Sequence, residues 1–207
     1  MPPRAPVIGV REEPIAALAE HARVPIAFTV RERLVLPTDA AALDLVAVPV
    51  EPPWVKDYDA VEPPASWPAQ FDVARWGLLS AWDGGTRVGG AVVARDTPGL
   101  DLLEGRRDVA ALWDLRVAPA HRGRGVGTAL FRAAESWARG RGARTLLVET
   151  QDVNVPACRL YRARGCALVS ARRGAYPTLP DEARLIWARR LDDGAGAAVR
   201  SAATEDR

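Results

Sequence analysis

Short apolar segments separated by glycine, proline and charged residues fill the second half of the chain. Those rich in β-branched and apolar residues predict strands at residues 75–82, 87–95, 109–117, 144–150, 166–172 and 183–191. The Asp83-Gly84 step predicts a hairpin between the first two. Helical spacing of apolar residues predicts helices at 125–139 and 156–164, the second closed by Gly165. This order predicts an α/β protein with a mixed sheet.

The first third of the chain has a less regular pattern. Residues 12–22 predict a short helix that ends before Pro25, and residues 26–36 predict the first strand. Prolines are dense between residues 37 and 72, which predicts a long irregular segment and a candidate substrate loop. The proline-rich start, residues 1–6, and the tail of Ala, Gly and charged residues from 192 to 207 are expected to lack fixed structure.

Composition narrows the class of protein. With 207 residues, of which 48% are hydrophobic and 26% charged, the chain suits one well-cored domain. A net charge of +2 argues against a nucleic-acid partner. Two cysteines and two histidines offer no clustered ligands, so we predict no metal. Without a signal peptide or a long apolar run, the expectation is a cytoplasmic protein with no membrane partner.

A glycine-rich run links the strand at 109–117 to the following helix. Gly123, Gly125 and Gly127 let the backbone approach a ligand closely, and the helix start presents unpaired N–H groups. This arrangement is typical of an anion site, such as one for a pyrophosphate. The spacing does not fit the dinucleotide fingerprint, and no Gly-Lys-Ser/Thr follows, which argues against a nucleotide-hydrolysing loop. A turn that merely connects strand and helix is the alternative.

Two motifs in order resemble one enzyme family. The pattern Arg122-x-x-Gly125-x-Gly127 is similar to the acetyl-CoA signature of the GNAT N-acetyltransferases. About 30 residues further on, the run from Glu149 to Tyr161 is similar to a second GNAT block, and in detail to streptothricin acetyltransferases. The resemblance covers roughly residues 26–191 and implies the GNAT fold, with a mixed sheet of six to seven strands that splays between strands 4 and 5 and is flanked by helices.

The resemblance also implies a domain layout and a cofactor. Residues 1–23 would be an N-terminal extension, 24–191 the acetyltransferase domain and 192–207 the tail. Acetyl-CoA would be the co-substrate, its pantetheine arm pairing with the backbone of the fourth strand as an added strand would. Asn154 would bind the arm or its phosphates, or would cap the next helix. The implied cofactor-binding residues are Leu115, Arg116, Val117, Arg122, Gly123, Arg124, Gly125, Val126, Gly127, Thr128, Asn154, Ala157 and Tyr161.

Catalytic roles follow from the same motifs. Tyr161 occupies the family's general-acid position, and a phenol is protonated at neutral pH; an aromatic ring packed in the core is the alternative. Related proteins carry Glu-Asp before the cofactor loop, where this chain has Trp113-Asp114. The candidates for the general base are therefore Asp114 and Glu149, with Asp152 a weaker one. Each could instead be a structural carboxylate paired with arginine.

The acceptor is expected to be a primary amine of a small molecule, acetylated directly in a ternary complex. Aromatic faces and carboxylates lie close together in Trp54, Asp57, Tyr58 and Asp59, the candidate substrate-binding residues. Arg172 and Arg173 stand where an anion would hold a polycation, which argues against streptothricin itself. Acetylation of a protein or peptide and a non-catalytic CoA-binding regulatory module are the alternative functions. A homodimer remains open.

Overall fold

The structure, a computed structural model, describes residues 8–36 and 45–192. Within these residues the strands are β1 (Ile8–Glu13), β2 (Phe28–Val35), β3 (Val46–Lys56), β4 (Gly77–Asp83), β5 (Thr86–Arg95), β6 (Val109–Val117), β7 (Thr145–Gln151), β8 (Ala167–Arg172) and β9 (Arg184–Arg190). Seven of them form one sheet in the order β1-β4-β5-β6-β7-β9-β8, while β2 and β3 pair separately. The predicted α/β class with a mixed sheet of six to seven strands is confirmed, the observed sheet having seven.

The helices are α1 (Leu18–Ala22), α2 (Trp67–Gln70), α3 (Val126–Gly140) and α4 (Val155–Ala163). Helix α3 buries one apolar face against β4, β5 and β6, with Leu130 and Phe131 fully enclosed. Trp137 of α3 lies directly over Gly77 of β4, where an added Cβ would come within 2.2 Å of the indole ring. Only glycine at this position lets the helix end sit so close to the sheet.

From residue 75 onward, each predicted strand and helix is present within one or two residues of its predicted bounds. The agreement follows from the alternation of buried and exposed positions, which is clear in β7, where every second side chain is buried. The predicted hairpin at Asp83 is also present, since β4 and β5 pair around that turn.

The prediction of a helix starting at residue 12 is wrong. Residues up to Glu13 belong to β1, which pairs antiparallel with β4, and the helix proper is only α1 after a single turn of 3₁₀ helix. Ile8 and Val10 pack against the core, while Gly9 and Arg11 are exposed. That period of two was masked by the adjacent acidic pair, which resembles a helix start. Residues 8–22, assigned by sequence to an extension, thus contact the sheet.

The prediction of an irregular segment from 37 to 72 is also wrong for its middle. Strand β3 runs through Pro49, Pro52 and Pro53. It pairs only with β2, and the register shifts between the pairs Val30–Trp54 and Glu32–Pro49. Proline is tolerated on an edge strand and at a bulge, because no ladder hydrogen bond is lost there. Because β2 pairs with β3 instead, it lies outside the seven-stranded sheet. Residues 1–7, 37–44 and 193–207, on which other expectations fall, lie outside the described residues.

Strands β6 and β7 are the only parallel neighbours in the described sheet, and they separate part-way along. Their pairing runs from Val109–Thr145 to Leu112–Val148 and then stops. Strand β6 nevertheless continues for five residues and β7 for three. The predicted splay is therefore present, and it leaves one edge of β6 without a strand partner.

Candidate active site

A cavity of about 310 Å³ lies at the opening between β6 and β7. Its described wall combines aromatic rings with carboxylates and contains no lysine or arginine. The lining residues that bear on the chemistry are Tyr58, Asp59, Glu62, Trp67, Trp113, Asp114, Glu149, Asn154, Tyr161 and Tyr176. An aromatic, acidic cavity of this kind favours a ligand that carries a positive charge or an amine.

The glycine loop precedes α3 beside the same opening. Gly123 and Gly125 have positive φ angles of 72° and 86°, which residues other than glycine rarely adopt. Gly125 caps the helix without any side-chain bond, the first turn carries no acidic residue, and the first helical bond is donated by Ala129. The preceding N–H groups of α3 have no intrahelical acceptor, so they are available to donate to an anion.

The Arg122 side chain is engaged by the protein. Its guanidinium donates to the carbonyls of Val117 at 2.9 Å, Ala27 at 2.8 Å and Pro25 at 3.2 Å. It therefore ties the glycine loop to the segment that enters β2. Its side chain therefore fixes the shape of the loop, and its backbone N–H is also engaged, donating to the Pro119 carbonyl at 3.3 Å.

Asn154 has two roles in the structure. Its side-chain oxygen accepts from the Ala157 N–H at 3.3 Å and so caps α4, as the capping alternative predicts. It also lines the cavity, and no described residue accepts from its amide nitrogen. A cap and a cofactor contact can therefore coexist in one side chain, because the cap uses only the oxygen.

Tyr161 projects from α4 into the same cavity. Its ring packs 6.0 Å from Phe131 and 6.5 Å from Trp187, centroid to centroid, so the side chain is part of the core as well. No described residue hydrogen-bonds its hydroxyl. Burial raises the pKa of Tyr161, and the nearby Cys158 and Asp114 add to that effect. The hydroxyl therefore stays protonated and free to donate into the cavity.

Glu149 and Asp114, the two candidates for the base, lie in different environments. Glu149 lines the cavity with its side chain 27% exposed, where it accepts from Tyr176 and Arg184. Asp114 is buried. Burial alone would raise its pKa, but hydrogen bonds from Arg116 and His21 outweigh burial and hold that pKa well below its usual range. Such a carboxylate is a poor proton acceptor at neutral pH. Asp152 is fully buried and pairs with Arg33.

A buried ion cluster surrounds Asp114. Arg116 donates twice to Asp114, at 2.9 and 2.7 Å, twice to Asp59, at 2.9 and 3.0 Å, and once to the carbonyl of Val24 at 3.1 Å. All five donors of the guanidinium are thus used. His21 completes the cluster through Nε2, 2.8 Å from Asp114. The family resemblance implies only a backbone role for Arg116, because Asp59 and Val24, which complete its contacts, lie 57 and 92 positions away along the chain.

We expect Asp114→Asn to lower the free energy of unfolding by about 3–5 kcal/mol at pH 7, because it leaves a buried guanidinium undercompensated. The lowered pKa of Asp114 determines how its contribution to the free energy of unfolding changes with pH. Its carboxylate stabilises the fold above the unfolded-state value of about 4, and that contribution is lost as the pH falls through the folded-state value. The deficit of the variant should therefore shrink below about pH 4.

Urea unfolding of the wild type and of Asp114→Asn, at pH 7 and at acid pH, measures the difference in their free energies of unfolding. Asp108→Asn is the matched control, since that carboxylate precedes the same strand but is exposed in its pair with Arg106. Its variant should unfold at the wild-type midpoint. Equal effects of the two substitutions would contradict a stabilising role for the cluster.

The predicted acceptor residues divide into two groups. Tyr58 and Asp59 line the cavity, whereas Trp54 and Asp57 are not among its described lining residues. Trp54 is on β3 and 38% exposed, and Asp57 accepts from the Asp59 N–H at 3.1 Å. Tyr58 donates to the buried Glu182 at 2.8 Å, which Lys56 also contacts.

Several cavity residues were not assigned to catalysis or acceptor binding from the sequence. Trp113, which replaces the glutamate of related proteins, lines the cavity in contact with Trp67 and Phe71. Glu62 and Tyr176 reach the wall from loops. Tyr176 lies three residues beyond Arg173, and nothing in that spacing indicates that its side chain reaches Glu149.

The GNAT acetyltransferase family model matches residues 47–166, more than half of the chain. The protein therefore belongs to this family, as the two motifs predicted. Streptothricin acetyltransferase of Streptomyces lavendulae is 49% identical over 61 residues, which make up 28% of this chain and 32% of that protein. The aligned part thus spans about a third of the relative's own length.

Solved structures extend the likeness over the fold. The crystal structure of nourseothricin acetyltransferase has a TM-score of 0.68 and 27% identity, covering 89% of this chain and 98% of that one. A Bacillus anthracis structure in complex with acetyl coenzyme A has a TM-score of 0.69 and 22% identity, covering 91% of this chain and 100% of that one.

Among the described residues, no helix is long and apolar enough to cross a membrane, and no group of His, Cys, Asp and Glu could hold a metal ion.

Proposed function

We propose that the protein is an acetyl-CoA-dependent N-acetyltransferase that acetylates a primary amine of a small molecule by direct transfer in a ternary complex. The observation that carries this proposal is the meeting of two groups in the cavity at the splay. There the unpartnered hydroxyl of Tyr161 and the carboxylate of Glu149 face the same space. An acid and a base in one cavity suit a reaction that needs both.

The residues present fit acetyl-CoA. The unpaired edge of β6 from Trp113 to Val117 offers backbone groups to an extended amide-bearing arm. The helix start at Gly125 offers N–H groups to its pyrophosphate. When bound, acetyl-CoA supplies a thioester whose acetyl carbon a neutral amine can attack. Asn154 would contact the arm through its free amide nitrogen.

Each of the two catalytic side chains would handle one proton. An attacking ammonium must first lose a proton, and Glu149, whose partly exposed side chain lines the cavity, is the candidate carboxylate placed to accept it. The departing sulfur must gain a proton, and Tyr161 is the donor whose hydroxyl has no competing acceptor among the described residues. Asp114 contributes by holding Arg116 rather than by accepting a proton.

The cavity itself supports a small amine. Its volume is at the low end of the range of about 300–1,000 Å³ that is usual for small-molecule sites. Asp59 and Glu62 add negative charge to its wall, and Tyr58, Trp67 and Trp113 supply aromatic faces for a cation.

The test is to incubate the purified protein with acetyl-CoA and a panel of amines while free thiol is measured. The panel pairs each small primary amine with its N-acetylated form and includes peptides with free N-termini or lysine. Thiol release that depends on a free small amine supports the proposal. Release with peptides alone would favour the protein-acetylating alternative, and binding of CoA without any release would favour the regulatory module.

We expect Asp59→Asn to raise the KM for the amine about two- to fivefold, the loss expected when one partly exposed charge contact is removed. Because Asp59 also pairs with the buried Arg116, the variant should unfold at a lower temperature while remaining folded at the assay temperature. The KM for acetyl-CoA should not change. Asp57→Asn is the comparison within the same segment, and its effect should be much smaller because Asp57 does not line the cavity. Initial rates against both substrates, with thermal unfolding as a folding check, measure this. An unchanged amine KM for Asp59→Asn would place the acceptor elsewhere.

A further inference from the structure

The loop between β8 and β9 turns back over the cavity and brings one tyrosine to Glu149. The hydroxyl of Tyr176 donates to Glu149 Oε1 at 2.8 Å, although the two residues lie on different elements. The same hydroxyl accepts from Gln151 Nε2 at 3.0 Å. Glu149 and Gln151 are both on β7, two residues apart and therefore on one face of the strand. Tyr176 thus bridges two side chains of a single strand.

The other oxygen of Glu149 is held separately. Arg184, on the neighbouring strand β9, donates through Nε to Oε2 at 2.6 Å. One donor on each oxygen fixes the plane of the carboxylate. An ionised carboxylate has about four acceptor sites, so two remain for other partners. Glu149 is therefore restrained but still able to accept a proton from the cavity.

We propose that Tyr176 is a positioning residue for proton transfer: it holds Glu149, together with Arg184, in the orientation and the ionised state that deprotonation of the amine requires. This inference rests on the proposed function, because it takes Glu149 as the base. Tyr176 itself does not accept the proton. Burial raises the pKa of Tyr176, and Glu149 adds to that effect, so the hydroxyl remains a donor at neutral pH.

The hydrogen bond from Tyr176 to Glu149 matters because the cavity around Glu149 is acidic. The remaining titratable and charged groups that face the same cavity are mostly acidic or phenolic: Tyr58, Asp59, Glu62, Asp114 and Tyr161. Additional negative charge disfavours ionisation of a carboxylate, whereas hydrogen bonds to its charged form favour it. Arg116 already compensates Asp59 and Asp114, so Tyr176 and Arg184 are the described donors that act on Glu149 itself.

The experiment compares kcat/KM for the amine across pH in wild type and Tyr176→Phe. The variant loses the hydroxyl but keeps the ring. We expect the acidic limb of the profile to move up by about one pH unit, since a carboxylate that loses a donor holds its charge less readily. The KM for acetyl-CoA should be unchanged. Tyr58→Phe is the matched control, because its hydroxyl lines the same cavity but donates to Glu182. Whatever it does to the amine KM, its acidic limb should stay in place.

The outcomes separate the two proposals. Glu149→Gln should abolish the acidic limb and most of the turnover; if it does not, Glu149 is not the base and both the base assignment and this inference fail. If Glu149→Gln is impaired but Tyr176→Phe keeps the wild-type limb, only the inference about Tyr176 is overturned. Should Tyr176→Phe fail to fold, Arg184→Gln removes the other donor and must shift the limb in the same direction, or the inference fails.

Discussion

Gly127→Glu is expected to weaken binding of acetyl-CoA by roughly 1000-fold. The residue lies in the first turn of α3, where N–H groups without intrahelical acceptors form the proposed pyrophosphate site. A carboxylate there repels the phosphates, and like charges near 4 Å at a protein surface cost about 4 kcal/mol, which is about three orders of magnitude in affinity. Titration calorimetry with acetyl-CoA measures the loss.

Folding should not confound this result. A Cβ at Gly127 would meet its nearest neighbour, Leu160, at an ordinary 3.4 Å. Gly140→Glu is the matched control, since it introduces the same charge at the far end of the same helix, where a Cβ has open space. That variant should bind acetyl-CoA as wild type does. Unchanged affinity in a folded Gly127→Glu protein would refute the loop assignment.

Tyr161→Phe is expected to lower kcat by about 10²- to 10⁴-fold, the usual contribution of a general acid. Affinity for acetyl-CoA should be nearly unchanged, because the ring and its packing against Phe131 and Trp187 remain. Single-turnover rates and calorimetry separate the two quantities.

The stability of the same variant provides its control. The Tyr161 hydroxyl has no hydrogen-bond partner among the described residues, so its removal should leave the melting temperature unchanged or slightly higher. If the variant binds acetyl-CoA more weakly but turns over the bound complex at the wild-type rate, Tyr161 is a cofactor contact rather than the general acid. A variant that loses stability would make its hydroxyl structural.

The sequence predicted the elements that form the cofactor side of the site, because their signals are local. The period of two in β7 and the glycines before α3 each depend on neighbouring residues. The splay between β6 and β7 came from the family resemblance and is present in the sheet. Strands β1 and β3 were missed for opposite reasons: a charged pair hid the alternation in one, and the prolines of the other are tolerated only because it is an edge strand with a bulge.

The long-range contacts that complete the proposed site could not be predicted in the same way, because they join distant parts of the chain. Arg116 and Asp59 are 57 positions apart, and Arg122 and Ala27 are 95 apart. A single sequence shows that an arginine is present but not which of many carboxylates or carbonyls it meets. The candidate base is a further example, since Asp114 and Glu149 look equivalent until burial and partners distinguish them.

The carbonyl of Val24, the imidazole of His21 and the two carbonyls held by Arg122 all come from residues before β2. A fragment cut to the family-matched region, 47–166, would lack these groups and also β9, the partner of β7. Such a fragment would keep both signature motifs in its sequence but would expose the inner faces of the strands that carry them. A folded fragment must therefore retain every strand of the sheet from Ile8 onward and the buried Leu191 that follows β9, rather than the motifs alone.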